Sequence, residues 1–238
     1  SYPKRGGYES IVKAFASRAP GAVLTECEVV RVSGSPGAWT VETTQGPKTY
    51  ETLVSTLPIH ELAKVWDGFP ARAREALGRL RYNSLINVLL GVKVAERHPW
   101  TALYVPDMDI ASHRISFMCN FSEYCAPEGH EAVMAEITTN PGDGIHELSD
   151  EEVIARVLLD LGRMGLVKPE DVVYRRALRF EYGYPVYDLD YFEQVDKLRR
   201  SVAEAGVHLL GRFAQFDYIN ADVCVERALK LAEQLSNG

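Results

Sequence analysis

The chain has 238 residues, 46% of them hydrophobic, 10% aromatic and 25% charged, with a formal net charge of −7. That length and apolar content support a real core in one large or two small domains. The acidic balance excludes a nucleic-acid partner, because no basic stripe is available to neutralise phosphates, and no apolar run is long enough to span a bilayer.

Ser1 to Arg5 carries no signal-peptide apolar core, so the cytoplasm is the expected location. Cys27, Cys119, Cys125 and Cys224 lack any Cys-x-x-Cys spacing, which points to free thiols in a reducing compartment. The histidines are isolated, without His-x-x-x-His or His-Glu-x-x-His, so no metal site is expected. The densest cationic group, Arg72, Arg74, Arg79 and Arg81, reads as a solvated helix face.

Taken in order, Tyr2-Pro3 to Gly7 predicts a turn, and Ile11, Val12, Phe15 and Ala16 make one stripe of a helix over 8–18 that Pro20-Gly21 stops. Ala22 to Val32 predicts a strand, the Gly34-Ser35-Pro36-Gly37 turn follows, and Trp39, Val41 and Thr43 alternate on a second strand. Gln45-Gly46-Pro47 makes another turn, and Leu53 to Thr56 is a short buried strand ended by Pro58. Pro58 and Pro70 each suit the first turn of a helix, one carrying Leu62, Val65 and Trp66, the other Ala73, Leu77 and Leu80.

Longer strands come next. Tyr82 to Val94 is strongly apolar, and His113 to Phe121 alternates with Ile115, Phe117, Cys119 and Phe121 on one face. With Ala132 to Thr138 these predict an antiparallel sheet with one polar side for ligand or solvent. Ser149-Asp150-Glu151-Glu152 is a capping box for a helix to about Met164. Val172 to Tyr182 is a strand, Tyr184 to Asp188 an aromatic linker, and Tyr191 to Ala205 a helix closed by Gly206.

The C-terminus is the most informative part. An apolar strand, Val207 to Leu210, ends in Gly211-Arg212, an aromatic loop runs to Tyr218, and Asn220-Ala221-Asp222 opens an amphipathic helix to Leu235. A helix N-terminus behind a Gly-Arg loop suits an anionic or polar ligand. From the residues alone, Asn220 and Asp222 equally well only cap the helix, and Arg212 equally well forms a surface ion pair. Tyr184, Tyr187 and Tyr218 read as an aromatic wall or as ordinary core-edge tyrosines. Arg114 faces away from Ile115, toward solvent if nothing binds there.

Three groups of residues resemble the C-terminal part of the flavin-containing amine oxidase superfamily, which includes protoporphyrinogen oxidases, phytoene desaturases and UDP-galactopyranose mutases. They are Tyr2-Pro3-Lys4-Arg5-Gly6-Gly7-Tyr8 with Glu28 to Val32 and Val54 to Pro58; Tyr82 to Ile86 with the 113–127 region; and Tyr184-Pro185-Val186 with Gly211-Arg212 and Asn220-x-Asp222. The resemblance implies an α/β (α+β) fold: a partial FAD-binding, Rossmann-like domain of the glutathione-reductase-2 type, with an inserted antiparallel-sheet substrate domain. The expected boundaries are 1–69, 70–182 and 183–238, the last segment returning to the first.

The resemblance also implies site residues. For FAD it implies Val29 at the adenine end, Thr56 and Pro58 along the ribityl path, Gly211 and Arg212 beside the cofactor, and the amides of Asn220, Ala221, Asp222 and Val223 near the flavin. For a small-molecule substrate it implies Asn87, Arg114, Tyr184 and Tyr218, with Arg114 matching an arginine that clamps a nucleotide-sugar diphosphate in the mutase branch. Simple amine oxidases place a lysine where this chain has Asn87, which counts against that branch.

The family's Gly-x-Gly-x-x-Gly turn has no match here. The chain is therefore expected to be part of a longer flavoprotein, with a dinucleotide-binding segment elsewhere and little FAD affinity of its own. The implied activity is oxidation of a C–N or C–C substrate through flavin N5. The alternatives are a mutase-like flavin-dependent isomerase, and a non-catalytic binding module.

Overall fold

The computed structural model describes residues 2–19 and 23–237. Of the expected features, the Pro20-Gly21 stop and a strand start at Ala22 lie outside the described residues. The chain divides into two compact units, one taking residues up to Val23 together with Asn83–Gly183, the other Leu24–Tyr82 together with Tyr184 onward. The first helix thus belongs with the sheet unit. The helix that begins after Pro70 belongs with the other unit, because Ala73, Ala76 and Leu77 share a core with Tyr191, Val195 and Leu198.

The sheet unit contains helix α1 (Glu9–Ala16) and a five-stranded sheet. Its strands are β5 (Tyr82–Lys93), β6 (Ala102–Tyr104), β7 (Arg114–Phe117), β8 (His130–Thr139) and β9 (Val172–Pro185), in the order β6-β7-β8-β5-β9. Alternate residues of three strands form the buried face: Ile86, Val88 and Leu90; Ile115 and Phe117; Val133, Ala135 and Ile137. Helix α4 (Asp150–Arg163) covers that face with Val153, Val157 and Leu161. Its start is the expected capping box, the Ser149 side chain accepting from the Glu152 amide while Glu152 accepts from the Ser149 amide.

Three expectations change here. The strand expected over 113–121 ends at Phe117, where a tight helical turn over Met118–Asn120 begins; Cys119 stays buried, but Phe121 leaves the face to pack edge-on against Tyr2 at 4.8 Å. Strand β6 has no apolar run long enough to announce it. β9 continues through Tyr184 and Pro185, so these residues end a strand and do not form a linker. Helix α1 forms, yet its stripe is not a core face: Ile11, Val12 and Phe15 are all exposed.

The second unit contains the antiparallel meander β1 (Val29–Ser35), β2 (Ala38–Thr43) and β3 (Gly46–Tyr50), and a parallel pair, β4 (Leu53–Ser55) with β10 (Val207–Leu209). Helices α2 (Ile59–Val65), α3 (Ala71–Leu77) and α5 (Tyr191–Glu204) surround a core built on Trp39, Leu62, Trp66, Leu198 and Val202. Pro58 and Pro70 sit at the N-caps, one position before the expected first turn. Residues 23–28 are not a strand; the pairing with β2 starts at Val29. The last helix, α6 (Ala221–Ser236), has no buried residue.

Candidate functional site

In the sheet unit, register builds a polar row. Tyr104 pairs with Arg114, Arg114 with Glu136 and Glu136 with Asn87, so four neighbouring strands put one residue each on the same face. Residues flanking this row, such as Ile115 and Ala135, point into the core on the other side, as a period of two requires. Glu136 is buried, accepts a hydrogen bond from Arg114 Nη2 at 2.7 Å, and has its other oxygen 3.0 Å from His113 Nε2. Burial pushes this carboxyl up, but His113 and the Arg114 guanidinium outweigh it and hold it below the usual carboxylate range. Asn87 Oδ1 is buried without a hydrogen-bond partner on the same face.

Over this face lies a cavity of about 550 Å³, in the size range of small-molecule sites. Arg114, Ser116 and Met134 form sheet-side lining, with Tyr104 beside them, and the Tyr2 to Tyr8 segment and Phe121 line it from outside the sheet. The lining holds five aromatic rings and two cations, Lys4 and Arg114, and no carboxylate among the described residues. Glu123 and Glu136 pair with those cations from outside the lining. Arg5 and Lys4 already lie over the Tyr124 ring, at 4.2 and 5.9 Å. The Cys125 thiol at the rim is pushed up, first by burial and then by Cys119, which argues against a nucleophilic role.

Of the four residues expected to meet substrate, Arg114 lines this cavity and Asn87 lies on its face of the sheet, while Tyr184 and Tyr218 belong to the other unit. The sequence reading missed Tyr104, Met134, Tyr2 and Tyr8. Parity offered one signal: Met134 and Glu136 alternate with the buried Val133, Ala135 and Ile137. Nothing local marks Tyr104, whose strand has three residues.

In the second unit, the carboxyl ends of the parallel strands bring the cofactor candidates together. β4 runs into Thr56 and Pro58, β10 into Gly211 and Arg212, and the two loops are tied by Leu210 N–H to Ser55 C=O at 2.9 Å and Ile59 N–H to Phe213 C=O at 3.2 Å. The ends of parallel strands are where open α/β sheets take their ligands. Gly211 has φ +88°, and nothing lies within 4 Å of where a Cβ would stand, so its backbone is open to close approach. Arg212 lies over the rings of Tyr184, Phe213 and Tyr218 at 5.0, 5.6 and 4.7 Å. It is therefore an aromatic-caged cation.

Asn220 is extended at the N-cap of α6, its side chain making no capping bond. The first turn, Ala221, Asp222 and Val223, begins three residues after Tyr218 of the cage. Val29 lies apart from these loops in sequence, at the irregular start of the β1 and β2 pairing. These residues fit one side of a flavin dinucleotide: an open glycine backbone, a helix N-terminus and a cation. A glycine-rich cradle for the pyrophosphate is not among them.

A parallel pair with its candidate ligand groups at the carboxyl ends, joined in one chain to an antiparallel sheet with a cavity on its polar face, defines a protein of the FAD-dependent oxidoreductase fold. The family described as flavin containing amine oxidoreductase matches residues 2–217, and the chain belongs to it.

Among curated proteins, the chain is 24% identical over 207 residues to the coproporphyrinogen III oxidase of Bacillus subtilis (strain 168), covering 84% of this chain and 43% of that one. A reduced UDP-galactopyranose mutase superposes with a TM-score of 0.76 at 22% identity, over 90% of this chain and 46% of the mutase. A CLA-producing fatty acid isomerase from P. acnes superposes with a TM-score of 0.70 at 16% identity, over 96% of this chain and 52% of the isomerase. The structural likenesses establish the fold. The chain spans about half the length of these relatives, 43 to 52%.

Proposed function

We propose that this chain is the substrate-holding part of an FAD-dependent oxidoreductase that oxidises an apolar substrate bearing anionic groups at a C–C or C–N bond, and that it is inactive without a dinucleotide-binding segment. The cavity on the polar face of the sheet carries this reading: aromatic and thioether groups dominate the lining, with Lys4 and Arg114 as its charged residues. A cationic amine would meet two like charges there and no carboxylate, a costly arrangement in a partly desolvated site. A tetrapyrrole of the kind named for the Bacillus subtilis relative has a broad apolar body and carboxylates, and this lining suits it.

In that role FAD supplies the hydride acceptor, and the protein supplies placement. Gly211, Arg212 and the first amides of α6 would hold the flavin side, with Thr56 and Pro58 on the adjoining loop and Val29 at the adenine end. Arg114, fixed by Glu136, would orient an anionic group of the substrate through charge-assisted hydrogen bonds. Tyr2, Tyr8, Tyr104 and Phe121 would exclude water from the reacting carbon. Tyr184 and Tyr218 hold Arg212 in place.

Fluorescence titration tests the substrate class on the chain itself, because the cavity is complete within one unit. Coproporphyrin III is expected to bind and to raise the melting temperature, with Arg114→Gln weakening the binding about tenfold, equivalent to about 1.4 kcal/mol. Putrescine and UDP are expected to do neither. Stabilisation by UDP, with coproporphyrin III inert, would replace this reading with a mutase-like isomerase.

A further inference from the structure

Two cations line the cavity on the polar face of the sheet, and their partners hold them very differently. Arg114 stands on β7 and pairs at 2.7 Å with Glu136, whose side chain is 5% exposed. Lys4 stands on the Tyr2 to Tyr8 segment and pairs at 3.5 Å with Glu123, and these two side chains are 76% and 62% exposed. A buried pair resists separation, because breaking it leaves a charge away from water. An exposed pair contributes little, and its members exchange partners readily.

The backbone around Lys4 is fixed although its side chain is not. The Ser122 hydroxyl donates to the Lys4 carbonyl and accepts from the Tyr124 amide at 3.3 Å, so one side chain both holds the segment and caps the tight turn over Glu123–Cys125. Tyr2 packs edge-on against Phe121 at 4.8 Å, and Arg5 lies over the Tyr124 ring at 4.2 Å. Lys4 therefore has a set place on the cavity wall, and its flexible four-carbon stem can carry the ammonium from Glu123 to a ligand without backbone movement. Arg114 needs no such exchange. A guanidinium has five N–H donors and can keep Glu136 while it meets a ligand.

We propose that Lys4 is a specificity-determining residue and that Glu123 is a resident stand-in for an anionic group of the substrate. On binding, that group takes the place of Glu123 on the Lys4 ammonium, while a second anionic group meets Arg114. The two cations lie on different walls, one on the sheet and one on the segment across it, and the lining they share is rich in aromatic and thioether groups. The preferred ligand thus has an apolar body with anionic groups at two separate positions. A molecule with one such group satisfies Arg114 alone, because Lys4 already has a carboxylate. This rests on the reading of the cavity as the site of an apolar substrate bearing anionic groups.

Fluorescence titration of the whole chain tests the exchange, with coproporphyrin III as the anionic probe and its tetramethyl ester as the uncharged one. The ester is expected to bind at least about tenfold more weakly than the acid. Lys4→Gln is expected to weaken the acid about fivefold, and Lys4→Arg to restore most of that loss. Glu123→Gln is expected to act in the opposite direction: with the competitor gone, the acid binds about threefold more tightly. In the Lys4→Gln background the same substitution is expected to bring no gain. Pyrenebutyrate, an aromatic probe with one carboxylate, is expected to lose affinity in Arg114→Gln and none in Lys4→Gln. Both Lys4 and Glu123 are exposed, so their variants are expected to melt close to wild type without ligand.

Unchanged or weaker binding of the acid in Glu123→Gln, unchanged binding in Lys4→Gln, or a gain from Glu123→Gln that persists without Lys4 would each overturn the proposal. The last result would mean that Glu123 acts through its general field and not by occupying Lys4. In all three cases a loss of affinity in Arg114→Gln leaves the reading of the cavity standing. Equal binding of acid and ester, or no binding of either, removes that reading and the proposal with it.

Discussion

From Ser84 to Val92 every second side chain of β5 is buried, and β8 supplies Val133, Ala135 and Ile137 beside it; along α6 no side chain is buried at all. Both segments are amphipathic in sequence. The difference is what the surrounding chain provides: α4 closes the apolar face of the sheet, whereas β10 and α6 border an open strand edge and a groove. Amphipathicity records that a face is to be covered, and the cover need not come from the same stretch of chain.

The contrast predicts unequal mutational costs. Phe117 is fully buried in the sheet unit and packs 4.5 Å from His98. Phe117→Ala should cost about 4 kcal/mol from lost transfer energy and an unfilled cavity, read as a lower urea midpoint with the m-value unchanged. A cost below about 1 kcal/mol would mean that this core is loosely packed, and the contrast with α6 would fail.

Glu136→Ala should come next, at about 3 kcal/mol, because it removes the buried carboxylate of the pair and leaves the half-buried Arg114 guanidinium without it. Its pH dependence has a fixed sign. The folded carboxyl lies below its ordinary value of 4.5, so its contribution is complete above that value and is lost as pH falls through the lower folded one. The gap in stability between wild type and Glu136→Ala should therefore be constant near neutrality and close in acid. A gap that widens on acidification would show that the carboxyl is not held ionised by His113 and Arg114.

Two glycines of equal backbone strain separate a packed turn from an open one. Gly206 has φ +84°, and a Cβ there would stand 2.2 Å from Pro36 Cγ; Gly211 has φ +88° and open space around the same position. Gly206→Ala should cost about 3 kcal/mol, strain plus overlap, and Gly211→Ala only about 1 kcal/mol, strain alone. If Gly211→Ala nonetheless removes flavin from the chain co-expressed with a dinucleotide-binding segment, while its urea midpoint falls by no more than that about 1 kcal/mol accounts for, the open space is where the cofactor approaches. Retention of flavin by Gly211→Ala would remove Gly211 from the site.

Legibility in the sequence follows the same divide. The helices α4 and α5 and the strands β5 and β8 could be read because their period, caps and burial agree locally. The polar side of the sheet was legible for the same reason, and Arg114 with it. What could not be read depends on partners distant in sequence. Tyr104 enters the row only because β6 pairs with β7, and the cavity forms only because the Tyr2 to Tyr8 segment lies across that face. Tyr184 was expected in a linker, since the Tyr-Pro pair resembles a strand end no more than a turn, and β9 carries it as its penultimate residue.

The smallest expected effect is the most discriminating. Leu229 is 62% exposed on α6, so in the chain alone Leu229→Ser removes almost no buried area and should shift stability by less than about 0.5 kcal/mol. With the dinucleotide-binding part of a longer flavoprotein present, the same side chain is expected to become part of an apolar contact, and the substitution should then cost about 1 to 2 kcal/mol of assembly, read as a fivefold to thirtyfold weaker affinity for that part. Equal small effects in both states would place that part away from the Val225 and Leu229 side of the helix. A large effect in the chain alone would mean that α6 is already packed, and that its exposed stripe is a core in its own right.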